Sequence, residues 1–130
     1  MRITEIFKIL SDDNRLRIIS LLYNTQLCVC ELEYITGIEQ SNLSKHLSRM
    51  YLSGILSMEK KSQWSYYSLS ESFLVDFPFI NILLRDELSM LPYVKTDYTA
   101  LEEYLKAKIG CEGIKKIKKG GKACRKKKQV

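Results

Sequence analysis

Through the first half of the chain, apolar side chains recur at helical spacing in short runs broken by polar clusters. Ile3, Ile6, Phe7 and Leu10 predict a first helix ending near Leu10. Ser11-Asp12-Asp13-Asn14 breaks the pattern and offers capping side chains to a second helix, which Leu16, Ile18, Ile19, Leu22 and Tyr23 place over about Asp13 to Tyr23. After the loop Asn24-Thr25-Gln26, a brief helix from about Val29 to Thr36 turns Leu32 and Ile35 inward, and Gly37 suits its left-handed end. The turn Gly37-Ile38-Glu39-Gln40 leads into a helix capped by Ser41, with Leu43, Leu47, Met50 and Tyr51 inward and Ser53-Gly54 at its end. Two helices joined by so short a turn form a helix-turn-helix.

The period then changes to two. Ile55 to Lys61 alternates, Ser62-Gln63 can reverse the chain, and Trp64 to Leu69 runs back, so a hairpin wing follows the helix-turn-helix. The stretch Phe73 to Leu91 is densely apolar, with Pro78 in the first turn of a helix or at a kink and Pro92 expected to end it. This is more apolar surface than one face of a small domain covers, so part of it is expected to meet a second subunit. From Asp97, the residues Tyr98, Leu101, Tyr104, Leu105 and Ile109 predict a further helix stopping at Gly110. The expected fold is mainly α with a small β-hairpin wing, a dimeric winged helix-turn-helix. Residues 1–95 form the DNA-binding and dimerisation domain, 96–110 an added helix, and 111–130 a basic tail expected to be disordered.

Stepping 100° per residue from Leu43 gathers Ser41, Asn42, Lys45, Ser48 and Arg49 on the outer face of the second helix of the pair, and none of them is acidic. Gln40 and Ser44 complete the candidate DNA-contacting set on this helix. Lys60, Lys61, Gln63 and Trp64 at the wing tip can meet phosphates or reach into a groove. Net charge adds little to this reading. The chain carries +6 overall, but residues 1–95 hold ten Lys/Arg against eleven Asp/Glu, while residues 96–130 hold eleven against four. The excess belongs to the tail, where it could add nonspecific DNA affinity or simply solubilise.

With 130 residues, 45% of them apolar, the chain fits one domain burying its own core. No apolar run reaches the roughly 18–20 residues of a membrane span, and Met1-Arg2-Ile3-Thr4 lacks the apolar core of a secretion signal. A soluble, cytosolic protein without membrane contact is expected, and its four cysteines are then free thiols, available as soft-metal ligands or redox groups. Catalysis finds little support: there is no phosphate-cradling glycine loop, no paired histidines and no nucleophile with an evident base. An enzyme is not expected.

Cys28 and Cys30 bracket one valine at the head of the first helix of the pair. On an intact helix a two-residue step turns the side chain by about 200°, so one ion could hold both sulfurs only if the backbone there were extended or unwound. Binding is therefore expected to distort the helix start, a physical route from ligand to lost DNA affinity. The helix N-terminus favours the thiolate, while Glu31 and Glu33 oppose it.

The run Cys28-Val29-Cys30-Glu31-Leu32, then Gln40-Ser41-Asn42-Leu43-Ser44-Lys45-His46-Leu47, Ser53-Gly54-Ile55-Leu56 and Trp64-Ser65-Tyr66-Tyr67-Ser68-Leu69, resembles the arsenic-responsive repressors of the ArsR/SmtB family over roughly residues 3–91. The resemblance implies a homodimeric repressor, built on its first and last helices, that needs no cofactor to bind an inverted-repeat operator. It implies release when the inducer As(III) or Sb(III) binds cysteine thiolates. The family's motif commonly carries a third cysteine where this chain has Glu33, so Cys111 and Cys124 are the candidates for a third ligand beside Cys28 and Cys30. Its wing turn, often glycine in relatives, is Ser62-Gln63. The family's zinc and cobalt sensors use several His and acidic ligands, and this chain has His46 alone. A cadmium or lead sensor, or a thiol-redox switch, remains the alternative.

Overall fold

The computed structural model describes residues 2–120. Helix α1 (Ile3–Leu10) and α2 (Asp13–Leu22) are followed by a two-residue strand β1 (Leu27–Cys28), then α3 (Val29–Thr36) and α4 (Gln40–Leu52). Asp12 caps α2 by accepting the Arg15 N–H at 3.0 Å. Gly37, at φ 76°, ends α3 in the left-handed conformation a Cβ would strain, and so permits the tight turn into α4. Strands β2 (Leu56–Lys61) and β3 (Trp64–Leu69) form the wing. The sheet order is β1-β3-β2, all antiparallel, with Cys28 opposite Tyr66 and Lys61 opposite Trp64. This is a winged helix-turn-helix, as the periodicity predicts.

Ile6, Ile18, Ile19, Leu32, Leu43, Leu47, Met50 and Ile55 are fully buried in the core that α1 to α4 share with the base of the wing. The residues that close it come from the second half, which differs from the expected plan. The apolar stretch divides into α5 (Glu71–Asp76), α6 (Phe79–Ile82), a π-helical turn (Leu83–Glu87) and a 3₁₀ turn (Leu88–Met90). Pro92 ends the helical run before it, as expected, for Leu91 is extended, and it also begins a helix that was expected only from Asp97: α7 (Pro92–Ala107) carries it in its first turn, where the missing N–H costs nothing. Arg17 of α2 grips Asp97 of α7 through two hydrogen bonds of 2.8 and 2.9 Å and also donates to the Thr36 carbonyl at 2.9 Å. One guanidinium thus ties α2, α7 and the end of α3 together.

The tail also differs from expectation. Lys108 at φ 52° and Gly110 at φ 66° reverse the chain, and α8 (Gly110–Gly120) returns onto α3. Cys111 and Ile114, three residues apart, bury on that side, and burial of Ile114 alone contributes about 2 kcal/mol. Lys118 Nζ reaches the buried Glu33 at 3.1 Å. A short apolar stripe packed on α3 folds where the same stripe alone would not. Residues 121–130, including Cys124, lie outside the described residues. None of the described helices is long and apolar enough to cross a membrane.

Candidate functional site

Cys28 is the N-cap of α3, with extended backbone (φ −92°, ψ 173°), because β1 pairs it with Tyr66 of the wing. Cys30 is already inside the helix. The two sulfurs lie 3.0 Å apart without any unwinding, so the expected distortion of the helix start is not needed to bring them together. Cys28 already has the extended backbone that the helical step argument required. Cys111 Sγ, delivered by α8, stands 2.8 Å from Cys28 Sγ, and all three sulfurs fall within 4.8 Å of one another. The three described cysteines are free thiols.

The surroundings of the thiols are built from α3, β3 and α7. The Cys28 N–H donates to Glu31 Oε1 at 3.0 Å, and the Tyr104 hydroxyl donates to Glu31 Oε2. Tyr66, across the sheet from Cys28, places its hydroxyl 3.2 Å from Cys111 Sγ. Its pKa is raised, first by that hydrogen bond and then by burial, so the phenol stays protonated. Burial, followed by the hydrogen bond with Cys28, pushes the Cys111 thiol up to about 12. Cys28 is also raised, first by its contact with Cys30 and then by burial. The thiolate expected at a helix N-terminus is therefore not what the fold favours at these two positions: burial and neighbouring thiols outweigh the helix dipole.

A cleft of about 140 Å³, lined by Cys28, Cys30, Gln40, Gln63 and Trp64 among others, leads to the thiols. It runs between the start of α4 and the wing. On α4, Gln40, Ser41, Asn42, Lys45, Ser48 and Arg49 are exposed and Ser44 is half-buried. Ser41 is engaged locally, donating to Glu39 at 2.6 Å. On the wing, Lys60 is exposed, Lys61 donates to Gln26 at 2.8 Å and Trp64 is half-buried. Gln63 donates to Glu112 of α8 at 3.4 Å, so the wing tip and the C-terminal helix touch. His46 lies between Arg15, 3.3 Å from Nδ1, and Asp12, 3.9 Å from Nε2, a packed histidine of the helix pair.

Sequence reasoning named Glu31 only as a charge opposing the thiolate, and missed Tyr66 and Tyr104 as parts of the thiol site. The spacing Cys28-x-x-Glu31 is that of a capping box and could have flagged the glutamate. Nothing local marks either tyrosine, because each arrives through tertiary packing.

Residues 12–57 match the family model described as bacterial regulatory protein, arsR family. The arsenic resistance transcriptional regulator ArsR1 of Pseudomonas putida is 42% identical over 65 residues, which is 49% of this chain and 51% of that protein. The chain thus spans about half the length of that relative. The arsenical resistance operon repressor of Bacillus subtilis is 37% identical over 83 residues, covering 63% of this chain and 73% of the relative. Among solved structures, HlyU from Vibrio cholerae superposes with a TM-score of 0.55 at 30% identity, over 62% of this chain and 85% of that one.

Proposed function

Because the chain belongs to the ArsR family of bacterial regulatory proteins, DNA-binding regulators and not enzymes, we propose that it is a repressor released from its operator by trivalent arsenic or antimony. The observation that carries this reading is the convergence of Cys28, Cys30 and Cys111 within 4.8 Å. Trivalent arsenic prefers three thiolates, and the ligand missing at Glu33 is supplied from α8. Operator contact falls to Gln40, Ser41, Asn42, Ser44, Lys45, Ser48 and Arg49 of α4 in the major groove, and to Lys60, Lys61, Gln63 and Trp64 of the wing.

A homodimer on an inverted-repeat site completes the reading. Phe7 of α1 packs its ring 5.9 Å from Phe79 of α6, and Ile3, Phe7 and Ile82 are about half exposed, which leaves an apolar face for a second copy. Two-fold symmetry then sets two α4 helices about one DNA turn apart.

The thiol site sits where a ligand can bias DNA binding. Cys28 ends the strand paired with the wing, Cys30 begins the helix that supports α4, and Cys111 belongs to α8, which touches the wing tip. Three bonds to one ion fix these elements in one arrangement. DNA affinity falls insofar as the operator requires another, by the difference in the ion's affinity for the two states. Moving from 1:99 to 99:1 takes about 5.5 kcal/mol.

The reading is tested by fluorescence anisotropy of the reduced protein on the inverted repeat upstream of its own gene, titrated with arsenite, antimonite, cadmium or zinc. Release by low-micromolar metalloid, lost in Cys28→Ser, Cys30→Ser and Cys111→Ser while DNA binding persists, is expected. Retained arsenite response in all three variants would sink the site. Release by peroxide alone would instead favour a redox switch.

A further inference from the structure

A buried negative charge stands beside the three thiols. Glu31 is 7% exposed, and each carboxylate oxygen accepts a hydrogen bond, one from the Cys28 N–H and one from the Tyr104 hydroxyl, the pattern of an ionised carboxylate. The other charges nearby are answered or open to water. Glu33 faces Lys118 at 3.1 Å, and Lys61, whose ammonium lies 5.4 Å from the centre of the Tyr66 ring, keeps a side chain 55% exposed. Among the described side chains, no buried cation pairs with Glu31.

The charge of the bound complex depends on the valence of the ion. Arsenous acid meets three thiols by exchange: three S–H and three As–O bonds break, three S–As bonds form, and three waters leave. The oxidation state is unchanged and the complex is neutral. Antimony(III) hydroxide behaves alike. A divalent cadmium or lead ion bound by the same three thiols sends three protons to solvent and leaves a complex of net charge −1. In a buried site that charge loses hydration and lies against Glu31.

We infer that Glu31 is a specificity-determining residue, whose buried carboxylate selects trivalent metalloids, bound as neutral trithiolates, over divalent soft cations, bound as anionic ones. The inference rests on the Cys28, Cys30 and Cys111 reading above. Glu31 has a second duty in fixing the Cys28 N–H, so the informative substitution preserves shape.

The experiment compares the full chain with its Glu31→Gln, Glu31→Asp and Tyr104→Phe variants. Kd values for arsenite, cadmium and lead are read from sulfur-to-metal charge-transfer absorption with chelator competition, at fixed pH and salt. Glu31→Gln keeps an acceptor for the Cys28 N–H and removes the charge. Its cadmium and lead Kd values are expected to tighten roughly tenfold while arsenite changes less than about threefold. Glu31→Asp, which keeps the charge, should retain the wild-type selectivity. Tyr104→Phe strips one hydrogen bond from the carboxylate and should weaken cadmium about threefold relative to arsenite, a shift opposite in sign that remains readable should Glu31→Gln not fold. Parallel changes for all ions, or an unmoved ratio, would overturn the charge selection. Absence of a three-sulfur arsenite complex in the wild type would instead mean that the thiol site itself is wrong.

Discussion

The sulfurs of Cys28 and Cys111 lie 2.8 Å apart although 83 residues separate them in sequence. Their contact makes α8 part of the thiol site and not an appendage. Arsenite bound there should fasten α8 to α3, so hydrogen exchange across residues 110–120 is expected to slow on adding arsenite. In Cys111→Ser the slowing should vanish, with arsenite affinity falling roughly 100-fold for the lost ligand. Equal protection in the variant would show that α8 is not held by the ion.

The Arg17 and Asp97 pair offers a test of how α7 is anchored. Asp97 is 3% exposed, and its partner's pKa is raised chiefly by their hydrogen bond. Arg17→Ala leaves the carboxylate buried without its cation and should cost about 3 kcal/mol, measured by urea unfolding. Replacing both residues by apolar ones of similar volume should recover much of that loss. A cost under about 0.5 kcal/mol would place the pair among surface ion pairs.

Ser62, at φ 58°, occupies the first position of the two-residue wing turn in a conformation that glycine adopts without strain. Ser62→Gly is expected to stabilise the protein by about 1 kcal/mol in thermal or urea unfolding. Destabilisation would show that the serine side chain contributes more than its backbone strain removes.

His46 supplies a pH test confined to one residue. Burial, ahead of the opposing pull of Asp12, holds its pKa below the ordinary 6.5. The unfolded chain therefore takes up the proton first. Stability is fully present above pH about 6.5 and declines as pH falls through the folded pKa. The single imidazole resonance, followed by NMR, should titrate below 6.5; a midpoint above that value would contradict the buried placement.

The helix pair, the wing and the register of its turn were legible in the sequence because each is set by local period and punctuation. Leu43, Leu47 and Met50 mark one face of α4, and Ser62-Gln63 separates two runs of period two. The strand β1 went unread, because no local pattern announces the pairing of two residues with β3. Pro92 ended the apolar helical run as read, but the start of the next helix was placed too late, at Asp97, because proline both stops and starts helices and the start lay with the contacts of α7 on α2.

By itself, then, the sequence determined the helix-turn-helix, the wing, the Cys28 and Cys30 pair and the outward polar face of α4, all consequences of spacing along a few turns or one hairpin. Tertiary structure alone decided that Cys111 is the thiol meeting that pair, that α8 folds, and that Glu31, Tyr66 and Tyr104 surround the site. The reason is physical: a short apolar stripe such as Cys111 and Ile114 gains enough burial to order a helix only where α3 already presents a surface to receive it.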